Sequence, residues 1–301
     1  DAAPVPGGAV FRGGWPEVWR ANLTLRGPSR VLARIGAFRA LHLAQLDKRA
    51  RRFPWAETLR ADVAIRVEAT CHTSKIYHEG AARQRVADAI RETLGATIAD
   101  EAGTGAITLR VRIERDLVTL SLDTSGELLH RRGYKPAVNA APMRETMAAL
   151  LLRACGYAGA EPVLDPMCGS GTFVIEAAEI AAGLAPGRAR SFAFERLATF
   201  DPEAWAALRA GLVPRGTTSR FHGADRDAGA VAMSRANAAR AGVGDIATFR
   251  EAPVSALARG TSNRKRPGRA APPGRCCERL APRCPGHERV PSAFARPKAP
   301  G

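Results

Sequence analysis

Residues Val163 to Ala178 read VLDPMCGSGTFVIEAA. Val163 and Leu164 suit a short strand, Asp165 ends it, Gly169 and Gly171 mark a tight turn, and an apolar run predicts a helix from about Thr172. Strand, glycine-rich turn and helix, in that order, is how open α/β sheets hold a nucleotide-like ligand above the carboxyl end of a strand, at a helix N-terminus. Glycine at 169 and 171 permits backbone conformations closed to other residues and lets a ligand approach the peptide groups. The Asp165 carboxylate is placed to pair with a cationic or amino group. The spacing is G-x-G, without the third glycine of the dinucleotide fingerprint, so the glycines alone would fit any β-turn-α connection. The whole word from Leu164 to Thr172 carries the reading.

Downstream, Phe173, Val174, Ala177 and Ile180 predict the buried face of a crossover helix ending near Gly183. Residues 184–220 read as an insertion, because a second acid would follow such a loop by only ~20 residues. That acid arrives in FHGADRDAGAVAMSRANAARAG: Phe221 to Asp225 is a predicted strand ending in Asp225. Asp227 is the expected N-cap of a helix over Ala228 to Arg240, Gly242 closes it, and Ile246 to Arg250 is a third strand. Upstream, Pro136 to Gly156 forms a joint, with Pro142 near a helix start and Met147, Leu150, Leu151 and Ala154 as its expected apolar face.

LDPMCGSGT resembles the S-adenosylmethionine (SAM) loop of class I methyltransferases, and most closely that of the RNA and DNA amino-methylating branch, D-P-x-C-G-S-G-T. The resemblance implies SAM as cofactor, held by Asp165, Pro166, Cys168, Gly169, Ser170, Gly171 and Thr172. It also implies Asp225 as acceptor for the two ribose hydroxyls, a role suited to a group that offers only acceptors in bidentate geometry.

The N-terminal half reads as α+β. Residues 15–25 predict a short helix, Ser29 to Ala37 a strand, Leu41 to Arg52 a helix with Lys48, Arg49, Arg51 and Arg52 near its end, and Asp62 to Val67 a strand. The basic cluster complements the helix dipole as readily as it would face RNA. A polar, basic connection from Cys71 leads to a helix over Glu79 to Leu94 with Gly95 as its C′ residue, and Ile107 to Asp123 is a hairpin turning at Arg115-Asp116. SKIYHEGAARQRVADAI (Ser74 to Ile90) and LSLDTSGELLHRRGYK (Leu120 to Lys135) resemble a THUMP domain, the RNA-binding module that precedes the catalytic domain in several RNA-modifying enzymes. This implies that Lys75, His78, Arg83, Arg85, Arg131, Arg132 and Lys135 contact RNA through backbone and shape. For each, a solvated surface charge is the competing explanation.

The bulk properties agree with a two-domain protein acting on a polyanion. The chain has 301 residues and a net charge of +16, of which residues 259–301 carry +9 (eleven Lys/Arg less two Glu) and residues 1–258 carry +7. No apolar run approaches the ~18 residues of a membrane span, and no signal pattern opens the chain, so no membrane partner and a cytoplasmic location are expected. Six cysteines without paired spacing fit a reduced compartment. Cys276, Cys277, Cys284 and His287 lack a CxxC unit, so no metal is expected.

The expected organisation is thus an N-terminal α+β region with a THUMP RNA-binding domain over 1–130, then the first half of an α/β Rossmann-like class I methyltransferase domain over 131–258. Residues 259–301 follow as a disordered or frameshifted Arg/Pro-rich tail, with eight prolines in 43 residues, and the chain reads as truncated at both ends. The family it resembles makes N2-methylguanosine in 23S ribosomal RNA. A tRNA guanine-N2 methyltransferase is the nearest alternative, and an adenine-N6 DNA methyltransferase shares the loop but has no need of the N-terminal half. Such enzymes orient the acceptor amine with an N-P-P-Y or D-P-P-Y turn. This sequence has neither, since its one Pro-Pro is Pro272-Pro273 in APPGR, so no catalytic residue is assigned and a non-catalytic RNA-binding remnant is the third reading. Oligomeric state leaves no mark on the sequence.

Overall fold

The chain opens with an exposed hairpin of β1 (Ala2–Val5) and β2 (Gly8–Phe11), which alternation did not reveal because none of its residues is buried. The computed structural model describes residues 2–100, 105–135 and 143–256. Pro142 and the expectations for residues 259–301 lie outside them.

Next come α1 (Trp15–Thr24), β3 (Leu32–Arg39), α2 (Leu43–Arg51), β4 (Ile65–His72), α3 (Glu79–Leu94), β5 (Ile107–Glu114) and β6 (Leu117–Asp123). The four strands form a mixed sheet in the order β3-β6-β5-β4, with β4 parallel to β5 and the other pairs antiparallel. Two strands lie further along than hydrophobic alternation predicts. β4 continues through Cys71 and His72, expected in a polar connection, because the whole strand pairs in parallel with β5 out to His72 opposite Glu114. β3 runs to Arg39, with an irregular register between Arg34 and Gly36 against β6. The β5–β6 turn places Arg115 and Asp116 both at positive φ (50° and 62°), the two-residue geometry that matches the twist of a hairpin. Asp116 is held there by Ser74 Oγ, which accepts from its N–H at 3.0 Å, and its carboxylate accepts from the Lys75 N–H at 2.8 Å.

The second half comprises α4 (Glu145–Ala154), β7 (Val163–Asp165), α5 (Thr172–Ala181), α6 (Pro202–Ala210), β8 (Phe221–Asp225), α7 (Ala228–Arg240) and β9 (Ala247–Glu251). β7, β8 and β9 form a parallel sheet in that order. α5, β8 and α7 have the bounds their sequences predict. α4 does not present its expected face inward: Met147, Leu150 and Leu151 are exposed, while Glu145, Thr146, Ala148, Ala149 and Leu152 are buried. α4 packs against α5, and its buried positions include the small Ala148 and Ala149 while the larger residues are left outside.

Residues 184–220 are an insertion in sequence only. Phe192, Phe194 and Trp205 join Trp19 in one aromatic cluster within the core of the N-terminal half, Trp19 and Phe194 stacking at 6.1 Å and Phe194 and Trp205 meeting edge-on at 5.1 Å. Arg190 donates to the carbonyls of Ser125, Glu127, Leu128 and Arg131, tying down a loop in which Leu128 O also accepts from the Arg131 N–H at 3.0 Å. Two buried glutamates on α5 complete the junction. Glu176 is bound by Arg26 at 2.6 Å and Arg132 at 3.4 Å, and Glu179 by Arg188 at 2.6 Å and Arg26 at 3.2 Å. Burial works against a charged Arg26, but Glu176 and Glu179 outweigh it and hold its pKa above the usual arginine value.

Candidate functional site

The loop Asp165–Thr172 lies over the carboxyl ends of β7 and β8. Asp165 ends β7, and its Oδ1 accepts from the Met167 N–H at 3.0 Å, turning the chain through Pro166. Cys168 then points inward, its N–H donating to Ala224 O on β8 at 2.9 Å and its Sγ 3.9 Å from Ser234 Oγ. Gly169 and Gly171 both take positive φ, 52° and 81°, as the turn requires. Close packing adds a second constraint at Gly171, where a Cβ would stand 3.0 Å from the Phe249 ring and 3.1 Å from Ser234. At Gly223 on β8, a Cβ would stand 2.4 Å from the same ring. Phe249, on β9, is therefore the floor on which the loop rests.

Asp225 ends β8 beside the loop. Its Oδ2 accepts from the Gly169 N–H at 2.9 Å and its Oδ1 from the Asp227 N–H at 3.0 Å. The Asp227 N–H does most to hold the Asp225 carboxyl below the usual carboxylate range, with Gly169 assisting against burial. Asp165 moves the other way: burial pushes its pKa up, opposed by the Met167 N–H, and the nearby Asp225 charge adds to the rise. The site thus sets two carboxylates at the ends of adjacent parallel strands, one with its pKa held down and one with it pushed up, an arrangement that favours a cation between or beside them. Asp227 does what its position predicts, accepting from the Gly229 N–H at 2.8 Å as the N-cap of α7.

Three supports escaped the sequence reading. Ser234 donates to Gly169 O at 2.7 Å and Asn237 to Ser170 O at 3.1 Å, both from fully buried positions one turn apart on α7. Polar residues three apart on the inward face of a helix were the available signal. Lys135, expected at an RNA surface, instead donates to Thr172 Oγ1 at 2.7 Å at the start of α5 and pairs with Glu145 at 3.5 Å, each side chain 5% exposed. Burial lowers the Lys135 pKa against the pull of Glu145. Arg132 departs from expectation in the same way, buried against Glu176 and the carbonyls of Leu129 and Arg26. The remaining RNA-facing candidates, Lys75, His78, Arg83, Arg85 and Arg131, are exposed, Arg131 pairing with Glu127.

Burial pushes the Cys168 thiol up to about 11, which disfavours the reactive thiolate. Peptide mapping after a timed pulse of iodoacetamide should show the exposed Cys155 alkylated well before Cys168. Equal rates would mean that the loop opens in solution. Among the described residues no three His, Cys, Asp or Glu side chains gather as metal ligands, and no helix is long and apolar enough to cross a membrane.

Comparison with known proteins identifies this arrangement. Residues 132–265 match the family described as RMKL-like, methyltransferase domain. Ribosomal RNA large subunit methyltransferase K/L of Vibrio campbellii is 31% identical over 86% of this chain, and that of Psychromonas ingrahamii 33% identical over 81%. The chain spans only 38% and 34% of the length of these relatives. Among solved structures, a Listeria monocytogenes protein predicted from its sequence to be an N6-adenine-specific DNA methylase is 32% identical, covering 82% of this chain and 67% of its own, with a TM-score of 0.75. SMU.472, a proposed methyltransferase in complex with SAH, is 25% identical, covering 86% of this chain and 71% of its own, also with a TM-score of 0.75. The fold of the second half is that of a class I methyltransferase.

Proposed function

Because the chain belongs to the RMKL-like methyltransferase family, we propose that it binds SAM and ribosomal RNA as part of an enzyme that forms N2-methylguanosine in 23S RNA. The observation that carries the reading is the loop Asp165–Thr172 closed against Asp225, with glycines wherever a side chain would collide. The residues suit SAM: Asp165 for the amino group, Asp225 for the ribose hydroxyls, the turn of Gly169, Ser170 and Gly171 for close approach of the cofactor, and Pro166, Cys168 and Thr172 shaping its edges. Two neighbouring carboxylates favour a ligand that carries both a sulfonium and an ammonium charge. SAM, when bound, supplies an electrophilic methyl group. The chain's residues orient it, and Cys168, buried beneath the loop, helps to shape its seat.

In this reading residues 1–130 act as a THUMP-containing RNA-binding region, residues 131–258 as the SAM-binding part of the methyltransferase domain and residues 259–301 as a basic tail, in a reduced cytoplasmic setting. Lys75, His78, Arg83, Arg85 and Arg131 are the RNA contacts, while Lys135 and Arg132 act inside the protein. The names of the curated relatives support ribosomal RNA over tRNA. A second reading is favoured by one observation. No N-P-P-Y or D-P-P-Y word occurs in the 301 residues, and on this reading the chain is a non-catalytic RNA-binding remnant.

Calorimetry with SAM, RNA binding to a 23S fragment and a tritiated-methyl transfer assay on that fragment test both. One SAM site together with RNA binding is expected. Absence of SAM binding would sink the cofactor assignment, and turnover would sink the second reading.

A further inference from the structure

We propose that the groove between the end of α2 and the edge strand β3 binds single-stranded RNA, with Lys48, Arg49 and Arg52 on its phosphates and a base against Phe53. The groove has a volume of about 600 Å³ and is lined by these residues together with Gly36 and Phe38. That lies within the ~300–1,000 Å³ of typical ligand sites. The inference rests on RNA being the partner and adds a contact region separate from Lys75 to Arg85.

The charges here are free where neighbouring ones are not. Arg51, on the same helical turn, is occupied by Asp47 and Glu92. Lys48, Arg49 and Arg52 are exposed and form no ion pair among the described residues. Complementing the helix dipole would explain cations anywhere on the last turn. It does not explain why the three unpaired ones line a groove with two aromatic rings. Arg34 and Arg39, exposed on β3 and likewise without ion pairs among the described residues, add to the local positive charge.

The floor is built for a flat partner. A Cβ at Gly36 would stand 2.4 Å from Phe53 Cε2, so the glycine is what lets the ring lie down on the strand. Phe53 is half-buried, its ring centroid 4.5 Å from that of Trp55. β3 is the outer strand of its sheet, so among the described residues one side of its backbone has no strand partner and can donate N–H groups. Cations that track a backbone beside rings that stack on bases are the features by which proteins hold single-stranded nucleic acid without reading its sequence. A membrane surface would require an apolar face that protrudes, and this one is recessed.

The test is fluorescence anisotropy of the full chain with a labelled single-stranded RNA of about 12 nucleotides. The triple variant Lys48→Gln, Arg49→Gln, Arg52→Gln should bind ~10- to 100-fold more weakly at 0.1 M salt, with the slope of log K against log salt shallower by about 2. Arg52→Gln alone, beyond the end of α2, should lower the slope by about 0.7 and guards against misfolding of the triple variant. Arg60→Gln, whose partner is Asp62, should bind within about twofold of the parent. Parent binding with unchanged affinity and slope in both groove variants would overturn the groove and leave the RNA reading standing. Failure of the parent to bind RNA would overturn both. Groove variants that lose an acidic peptide or anionic vesicles but keep RNA would also overturn it.

Discussion

Changing Asp225 to asparagine is expected to weaken SAM binding about a hundredfold while leaving the fold intact. The carboxylate offers four lone-pair sites, and the loop uses two of them, through the N–H groups of Gly169 and Asp227. The remaining two are what a ribose diol needs. Hydrogen bonds to a charged acceptor contribute about 1.5–3 kcal/mol each. Asparagine keeps one acceptor oxygen, and its NH2 must face the N–H of either Gly169 or Asp227 and offers the sugar no acceptor on that side, so a loss of ~3 kcal/mol, about a hundredfold in Kd, is the expected result. Calorimetry decides it, with Asp227→Asn as the contrast. That residue's carboxylate caps α7 and should leave SAM affinity within a few-fold of the parent. If the Asp227 variant loses SAM and the Asp225 variant does not, the two roles are exchanged. The pH dependence follows from the lowered Asp225 pKa. Its contribution to stability and binding is present above the usual carboxylate value of ~3.9 and is lost only as pH falls through the lower folded value.

The largest effect on stability is expected at Glu179. Its side chain is fully buried, and Glu179→Ala leaves Arg188 with only the carbonyls of Ala185 and Ala241, and Arg26 with Glu176 and Leu184 O. Removing one member of a buried ion pair costs about 3–5 kcal/mol, because the other charge remains inside without its partner. In a protein of this size that is roughly 10 °C in Tm, a large share of a total stability of ~5–15 kcal/mol. The double variant Glu179→Leu, Arg188→Leu should recover part of the loss, since fewer charges are then stranded. Urea denaturation of the single and double variants measures both. A single variant within ~1 kcal/mol of the parent would mean that water reaches the cluster. The consequence for the site is indirect, because α5 begins at Thr172 in the loop and the cluster fixes that helix against Arg26 of the N-terminal half and Arg132 at the start of the second.

Local chemistry explains which parts of this were readable. Gly169 and Gly171 each have a backbone job that few other residues can do, Asp227 caps the helix directly after it, and β8 and α7 carry their periodicity within a dozen residues. Signals of that kind survive in one dimension. α4 misled because periodicity reports that an apolar stripe exists, not what it meets. Ala148 and Ala149 are buried while the larger Met147, Leu150 and Leu151 stay outside.

The amino-acid sequence by itself therefore determined the α/β character of residues 163–251, the loop that a cofactor would occupy and the two acids beside it, because each depends on neighbours a few positions away. Only the tertiary structure decided that Arg132 and Lys135 turn inward, that Phe192 to Trp205 belong to the core of the distant N-terminal half, and that Ser234, Asn237 and Phe249 shape the loop. A charge or a ring carries no label for its partner. Whether Arg132 meets solvent, RNA or Glu176 is set by what the fold brings within a few ångströms of it, across 44 residues of chain.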